Sequence, residues 1–414
     1  MKKLFLPFLA VCAIGFVTSC SKDGPAPGDG DGDGGEELVK TGVITEDETW
    51  TAENVYILDG RVVVDEGVTL TIQAGTIVKA EDGQEANASA LIVDQGARLL
   101  AEGTASKPII LTSVNDNIQP GETESTLELA DAGQWGGLIL LGRAPISVSG
   151  ASGTALIEGI PAGLSYGTYG GDDAVDEFAP GQGGSKLNYI SIRFSGVALK
   201  QDSEIQGLTL GGVGSATSIK NIEIYSNLDD GIEAFGGNVN IENLLVIGQQ
   251  DDGIDLDQSY AGTVSNAFVI QTAESGSGLE IDGPEGDMEA SFTLRNITID
   301  AGNFEGKLIA DFRSRAMGTL ENIYVYNINA TGATVNVADA TTGANYNANK
   351  LIFKSWELVL PSGKSVSDLF TADASVTDNA AFAGNATGVA AGSETVGADL
   401  SVFGWTYAKS TGAF

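Results

Sequence analysis

From Val43 onward the chain is written in short apolar runs of period two, each cut off by Gly, Asp or Asn. Val62-Val63-Val64, Thr69-Leu70-Thr71-Ile72, Ala90-Leu91-Ile92-Val93 and Ile109-Ile110-Leu111 are examples. Runs of this length, rich in β-branched residues and bounded by turn formers, predict strands. No segment sustains an apolar period of about 3.6 residues over roughly three turns, so little helix is expected.

The strands also repeat. Ile219-Lys220-Asn221-Ile222-Glu223-Ile224 returns as Ile241-Glu242-Asn243-Leu244-Leu245-Val246, and the same frame carries Asn266, Asn296 and Asn322. Successive asparagines are 22, 23, 30 and 26 residues apart. Asp229-Asp230-Gly231-Ile232-Glu233, Asp251-Asp252-Gly253-Ile254-Asp255 and Ser277-Gly278-Leu279-Glu280 keep the same beat. A period in the low twenties with short strands predicts a solenoid; the leucine-rich frame is missing, and propeller blades repeat at about twice this length. The expectation is an all-β parallel β-helix over 43–414, with strands stacking about 4.8 Å apart. Its repeated asparagines should bond from one bend to the backbone of the next.

Gly133-Gln134-Trp135-Gly136-Gly137, Leu156-Ile157-Glu158-Gly159, Tyr169-Gly170-Gly171-Asp172-Asp173, Gly211-Gly212-Val213-Gly214 and Asp229-Asp230-Gly231-Ile232-Glu233-Ala234-Phe235-Gly236-Gly237 carry a resemblance. Together they resemble a group of lipoproteins abundant in Bacteroidota, whose bodies are right-handed pectate-lyase-type β-helices. The resemblance runs from about Thr49 to Phe403-Gly404-Trp405-Thr406-Tyr407 and implies a fold but no activity. Some members are labelled multidrug transporters, which the lack of spanning segments here contradicts.

The N-terminus reads as an address. Lys2 and Lys3 precede an apolar run from Leu4 to Val17 and then Thr18-Ser19-Cys20, predicting a lipoprotein signal peptide over 1–19 with Cys20 lipidated. An ordinary signal peptide is the other reading. Residues 20–42 are Gly, Asp and Pro rich and predict a flexible tether. Nothing after Cys20 approaches the roughly 18 apolar residues of a membrane span, so lipid would be the sole attachment to an outer membrane. Pro361 to Thr395 is rich in small residues, and 361–414 is expected to cap the C-terminal end. Trp50, Trp135 and Trp405 are expected to plug the core near the ends.

Composition narrows the chemistry. The chain has 414 residues, 56 acidic against 21 basic, no histidine and a net charge of −35. Histidine-dependent nucleophiles and bases are impossible. Such an excess of negative charge also excludes nucleic acid as a partner. The densest acidic feature is the repeat itself: Asp229, Asp230 and Glu233 should stack over Asp251, Asp252 and Asp255, with Asp257 close by. Carboxylates about 5 Å apart repel unless a proton, a base or a cation intervenes. Calcium is the cation whose oxygen coordination suits them. Asp-Gly turns capping backbone amides are the alternative. The motif also resembles the aspartate-rich segments of polygalacturonases, which share this fold, but those carry a histidine. Arg193, flanked by Ile192 and Phe194, is expected to point outward as a surface residue.

The loop over 159–186 offers Tyr166 and Tyr169 beside Asp172 and Asp173, a combination suited to sugar recognition, or else a flap that covers the solenoid with its own aromatics. The function these features favour is a lipid-anchored surface module, non-enzymatic, binding a glycan or another extracellular polymer with calcium. A polysaccharide lyase or glycoside hydrolase and a purely structural adhesion protein are the rivals.

Overall fold

Alternating side chains turn one face of each strand into the core, and the low-twenties repeat stacks those faces coil upon coil. The computed structural model describes residues 36–83, 87–150, 153–158, 160–161, 163–200 and 203–414. The leader expected over 1–19, Cys20 and most of the tether lie outside the described residues.

The coils form a parallel β-helix with three faces. The first face runs through Ala90–Val93, Leu138–Leu141, Leu208–Gly211, Ile232–Phe235, Ile254–Asp257, Ser277–Asp282, Leu308–Arg313, Val335–Val337 and Phe370–Ala372, all paired parallel. The long strands between them, such as Ser218–Asn227 and Asn240–Gln249, bend once and so supply both other faces. Leu138, Leu208, Ile232, Ile254 and Leu279 stack as one buried interior column. Ile190, Ile222, Leu244, Ala267 and Ile297 make another. Among the described residues the α-helices are short: Ala340–Asn347, Ala380–Asn385 and Tyr407–Ser410. None is long and apolar enough to cross a membrane.

The bend between the second and third faces explains the asparagines. Asn221, Asn243, Asn266, Asn296 and Asn322 all sit at φ between 51° and 60°, a left-handed conformation that asparagine tolerates better than most residues. Along the stack their amides bond to one another rather than to the backbone of the neighbouring coil as expected, and Asn266 also meets the backbone of Asp399. Asn243 Nδ2 donates to Asn221 Oδ1 and Asn266 Nδ2 to Asn243 Oδ1, each at 2.8 Å. Replacing Asn243 with Ala is expected to lower unfolding free energy by about 1–3 kcal/mol, and Asn243→Gly by less, since glycine accepts the φ. Urea unfolding of both variants checks this; equal losses would show that backbone strain contributes nothing.

The ends differ from expectation. The first strand is Glu37–Ile44, beginning before 43 because residues 37–40 pair with 55–58 of the next coil. Trp50 does close this end, stacked on Tyr56 at 4.8 Å. At the other end Trp356 packs edge-on against Phe353 and Phe382, and Phe382 stacks on Phe370. Trp135 is buried in mid-solenoid, its indole N–H on Arg193 O at 2.8 Å. Trp405 lies outside the core, edge-on to Tyr189.

Only the first half of 361–414 caps the C-terminal end. Beyond Val389 the chain runs back along the third face toward earlier coils. Thr395 N–H meets Glu357, Ala398 N–H meets Thr298, Asp399 N–H meets Asn266, and Tyr407 N–H meets Glu223. This tail covers Phe194, Tyr225, Leu245 and Phe268, which point outward from the third face yet are buried. It also covers Arg193. That residue does point away from the core, but the tail leaves it 1% exposed, with its guanidinium over the Tyr407 ring at 4.3 Å. The surface position expected for Arg193 is therefore corrected.

A long excursion leaves the solenoid between Leu141 and Lys186, starting earlier than the expected 159 and holding the antiparallel pair Ala155–Leu156 and Thr168–Tyr169. A second insertion, the hairpin of Val197–Lys200 and Ser203–Ile205, follows directly after Lys186–Ser195, before the next first-face strand.

Candidate cation site

Strand alternation builds the acidic site on the first face. Ile232, Ala234, Ile254 and Leu256 point into the core, so Glu233, Asp255 and Asp257 point out. Register sets Glu233 directly on Asp255, and Asp255 on Glu280. The Asp-Asp-Gly turn feeding each strand packs tightly: a Cβ on Gly231 would lie 2.3 Å from Val246 Cγ1, so only glycine fits. That turn swings Asp230 inward, where its Oδ1 accepts the Asp252 N–H at 2.8 Å; Asp252 in turn accepts the Ser277 N–H. Amide capping and carboxylate stacking are thus both present.

Two oxygen sets result. Asp229, Asp230 and Asp251 form one, and Asp230, Glu233 and Asp255 the other, with ligand atoms within 4.8 Å in each. Asp230 is 6% exposed, and Glu233 and Asp255 are 8% exposed. Asp255 Oδ1 is hidden from solvent and has no hydrogen-bond partner among the described residues. Nor does any of these carboxylates form an ion pair among the described residues; the Arg313 guanidinium, whose charge is felt at Asp251, is taken by Glu280 and Asp282.

Burial, reinforced by neighbouring carboxylates, pushes Asp230, Glu233 and Asp255 well above the ordinary carboxylate range. For the same reasons Asp229 and Asp257 are pushed up to about 7 and Asp251 to about 6. A hard, oxygen-preferring dication would replace those protons. Unlike thiolate or imidazole sites, this donor set favours calcium over softer metals.

The other predicted residues are dispersed. Tyr169 is buried against Phe235, with its hydroxyl on Gln258 Oε1 at 3.2 Å, so it offers no face to a sugar. Tyr166 packs half-buried against the same apolar cluster. Asp172 is exposed, and Asp173 caps the turn by accepting the Val175 and Asp176 N–H groups. The excursion is therefore a flap seated by its own aromatics, which corrects the sugar platform expected of Tyr169.

Sequence reading missed Glu158 and Glu204. Glu158 lies on the flap and Glu204 on the hairpin, and the Glu204 N–H donates to Glu158 Oε2 at 3.1 Å. No repeat marks either residue. A groove of about 470 Å³ opens alongside, lined by Ser147, Ser149, Glu285 and Asp287. Gln258, adjacent to Asp257, bonds to Glu285 at its edge.

A family model described as "Pectate-lyase like beta helix domain" matches residues 42–407. No curated protein and no solved structure matches the chain.

Proposed function

Because the chain belongs to the pectate-lyase-like β-helix family, we propose that it is a calcium-assisted, non-enzymatic binding module for an extracellular polymer such as a glycan. The leader and Cys20 would display it on an outer membrane. The observation that carries the reading is the Asp230–Glu233–Asp255 set: three converging, buried carboxylates with no base among them.

Calcium takes about six to eight oxygens, and three carboxylates leave part of that shell open. Asp229 and Asp251, nearer solvent, stand beside it, and hydroxyl or carboxylate oxygens of a polymer would complete it. The groove lined by Glu285 and Asp287 reaches this face through the Gln258 to Glu285 bond.

Calorimetry with calcium, followed by polymer capture with and without chelator, tests the reading. Wild-type protein is expected to bind calcium and retain the polymer only with it. The Glu233→Gln/Asp255→Asn variant should lose at least about tenfold in calcium affinity. Capture indifferent to both chelator and variant would sink the proposal.

Asp229 and Asp257, both near 7, favour a second reading, because a carboxyl that holds its proton at neutral pH can act as general acid in glycoside cleavage. Release of reducing ends from a retained polymer would select that reading over the binding module.

A further inference from the structure

The second face carries a polar groove that the acidic site does not use. Ile219, Ile241, Val264, Leu294 and Leu320 turn into the core, so the residues beside them point outward. Register stacks these as Lys220, Glu242, Ser265, Arg295, Glu321 and Lys354. Lys220 and Glu242 pair at 2.8 Å. Arg295 is exposed and forms neither a hydrogen bond nor an ion pair among the described residues, although Glu321 stacks beside it. On its other side stands Ser265, the smallest side chain of the column, and two grooves meet there. They measure about 400 and 450 Å³ and share Glu242, Ser265 and Arg295. The larger continues over Thr217, Ser218 and Thr263, and no aromatic ring lines either. The asparagine ladder is interrupted at the same place. Asn266 Oδ1 accepts the Asp399 N–H of the tail at 2.6 Å, and no bond links it to Asn296. Asn296 Oδ1 accepts Asn322 Nδ2 at 3.0 Å, but its own Nδ2 donates to nothing among the described residues. Consecutive residues Arg295 and Asn296 thus present unused donors to one groove.

We infer that Arg295 and Asn296 form an oxyanion site, which takes a sulfate or carboxylate group carried by a sugar chain lying in the groove. A guanidinium offers a planar fork of donors that matches such a group, and the Asn296 amide adds a neutral donor beside it. The hydroxyls of Thr217, Ser218 and Thr263 face the rest of a hydroxylated chain. The net charge of −35 does not forbid this, because at physiological salt exposed charges are screened beyond about 8 Å and the local column decides. Glu321 is the opposing local charge and limits the affinity. The site lies on a different face from the carboxylate column and needs no calcium, so the two readings stand or fall separately.

Calorimetry on the full chain under chelator, with short sulfated, carboxylated and neutral oligosaccharides and with inorganic sulfate, reads this directly. The sulfated or the carboxylated oligosaccharide is expected to bind at least about tenfold more tightly than the neutral one, and whichever does identifies the group. Arg295→Gln should lose about tenfold or more of that affinity while melting with the wild type, since Arg295 is exposed. Asn296→Gly, which keeps the backbone conformation, should also weaken binding, and Glu321→Gln should strengthen it. No binding of either charged oligosaccharide overturns the proposal. So does inorganic sulfate binding as tightly as the sulfated oligosaccharide, because the groove would then contribute nothing. A loss in Lys354→Gln equal to that in Arg295→Gln also overturns it, because the attraction would then belong to the whole column.

Discussion

With divalent cations chelated, raising the pH from about 5 to about 8 is expected to lower the melting temperature, and millimolar calcium to restore it. Aspartates in an unfolded chain release their protons near pH 4. In the folded chain burial and crowding hold Asp229 and Asp257 up at about 7, and Asp230, Glu233 and Asp255 well above the ordinary range. Between those limits the folded state keeps protons that the unfolded state has lost. The stabilisation is therefore complete below about pH 4 and lost as pH rises through the folded values. One pKa unit corresponds to about 1.4 kcal/mol, and because these groups share protons their shifts do not add; a total loss on the order of 4 kcal/mol is expected. Calcium reverses the sign by favouring the ionised form, so its stabilising effect should be largest at the alkaline end. Thermal melts across this range check the prediction, and Glu233→Gln/Asp255→Asn should flatten the profile. A melting temperature indifferent to pH under chelator would mean that the cluster is hydrated and relaxed.

Glu223→Ala is expected to cost about 3–5 kcal/mol and to free the C-terminal tail. Glu223 is 0% exposed and accepts from Ser191 Oγ at 2.6 Å, Tyr407 N–H at 3.0 Å and Ala408 N–H at 2.8 Å. Ser191 Oγ also accepts from Arg193 Nε at 2.7 Å, so strand charge, hydroxyl and tail amides form one buried network. Truncating Glu223 leaves the Ser191 hydroxyl and two tail amides without their acceptor, and removes the carboxylate charge that offsets the buried Arg193 guanidinium, in a low-dielectric setting where an unpaired group costs most. Arg193→Met/Glu223→Leu removes both charges and should cost less than Glu223→Ala alone. Urea unfolding measures the loss, and limited proteolysis beyond Val389 reports tail release. A Glu223→Ala protein as stable and as protease-resistant as the wild type would show that the tail is held by apolar contacts alone.

The repeat made the fold readable. A parallel β-helix is nearly one-dimensional: each strand meets its counterpart about one period away, so periodicity along the chain becomes adjacency in space. The Asp229/Asp251 and Asn221/Asn243 spacings of 22 residues translated into stacked neighbours for that reason. The same logic failed wherever a segment leaves the repeat. Tyr169 looked like a loop aromatic, but the flap folds it into a second apolar cluster. The unbroken apolar run Leu244-Leu245-Val246-Ile247 was a readable sign that the third face is covered on both sides, although not of what covers it.

Local pattern by itself determined the strands, their inward and outward faces, the coil register and hence the carboxylate column. Those follow from a side-chain period of two and a short repeat. Tertiary structure alone decided that Arg193 is buried, that the tail returns to Glu223 across 184 residues, and that the flap and the hairpin meet through Glu158 and Glu204. Contacts made once, between segments with no common period, are selected by shape and charge complementarity in the folded chain and leave no recurring mark along it.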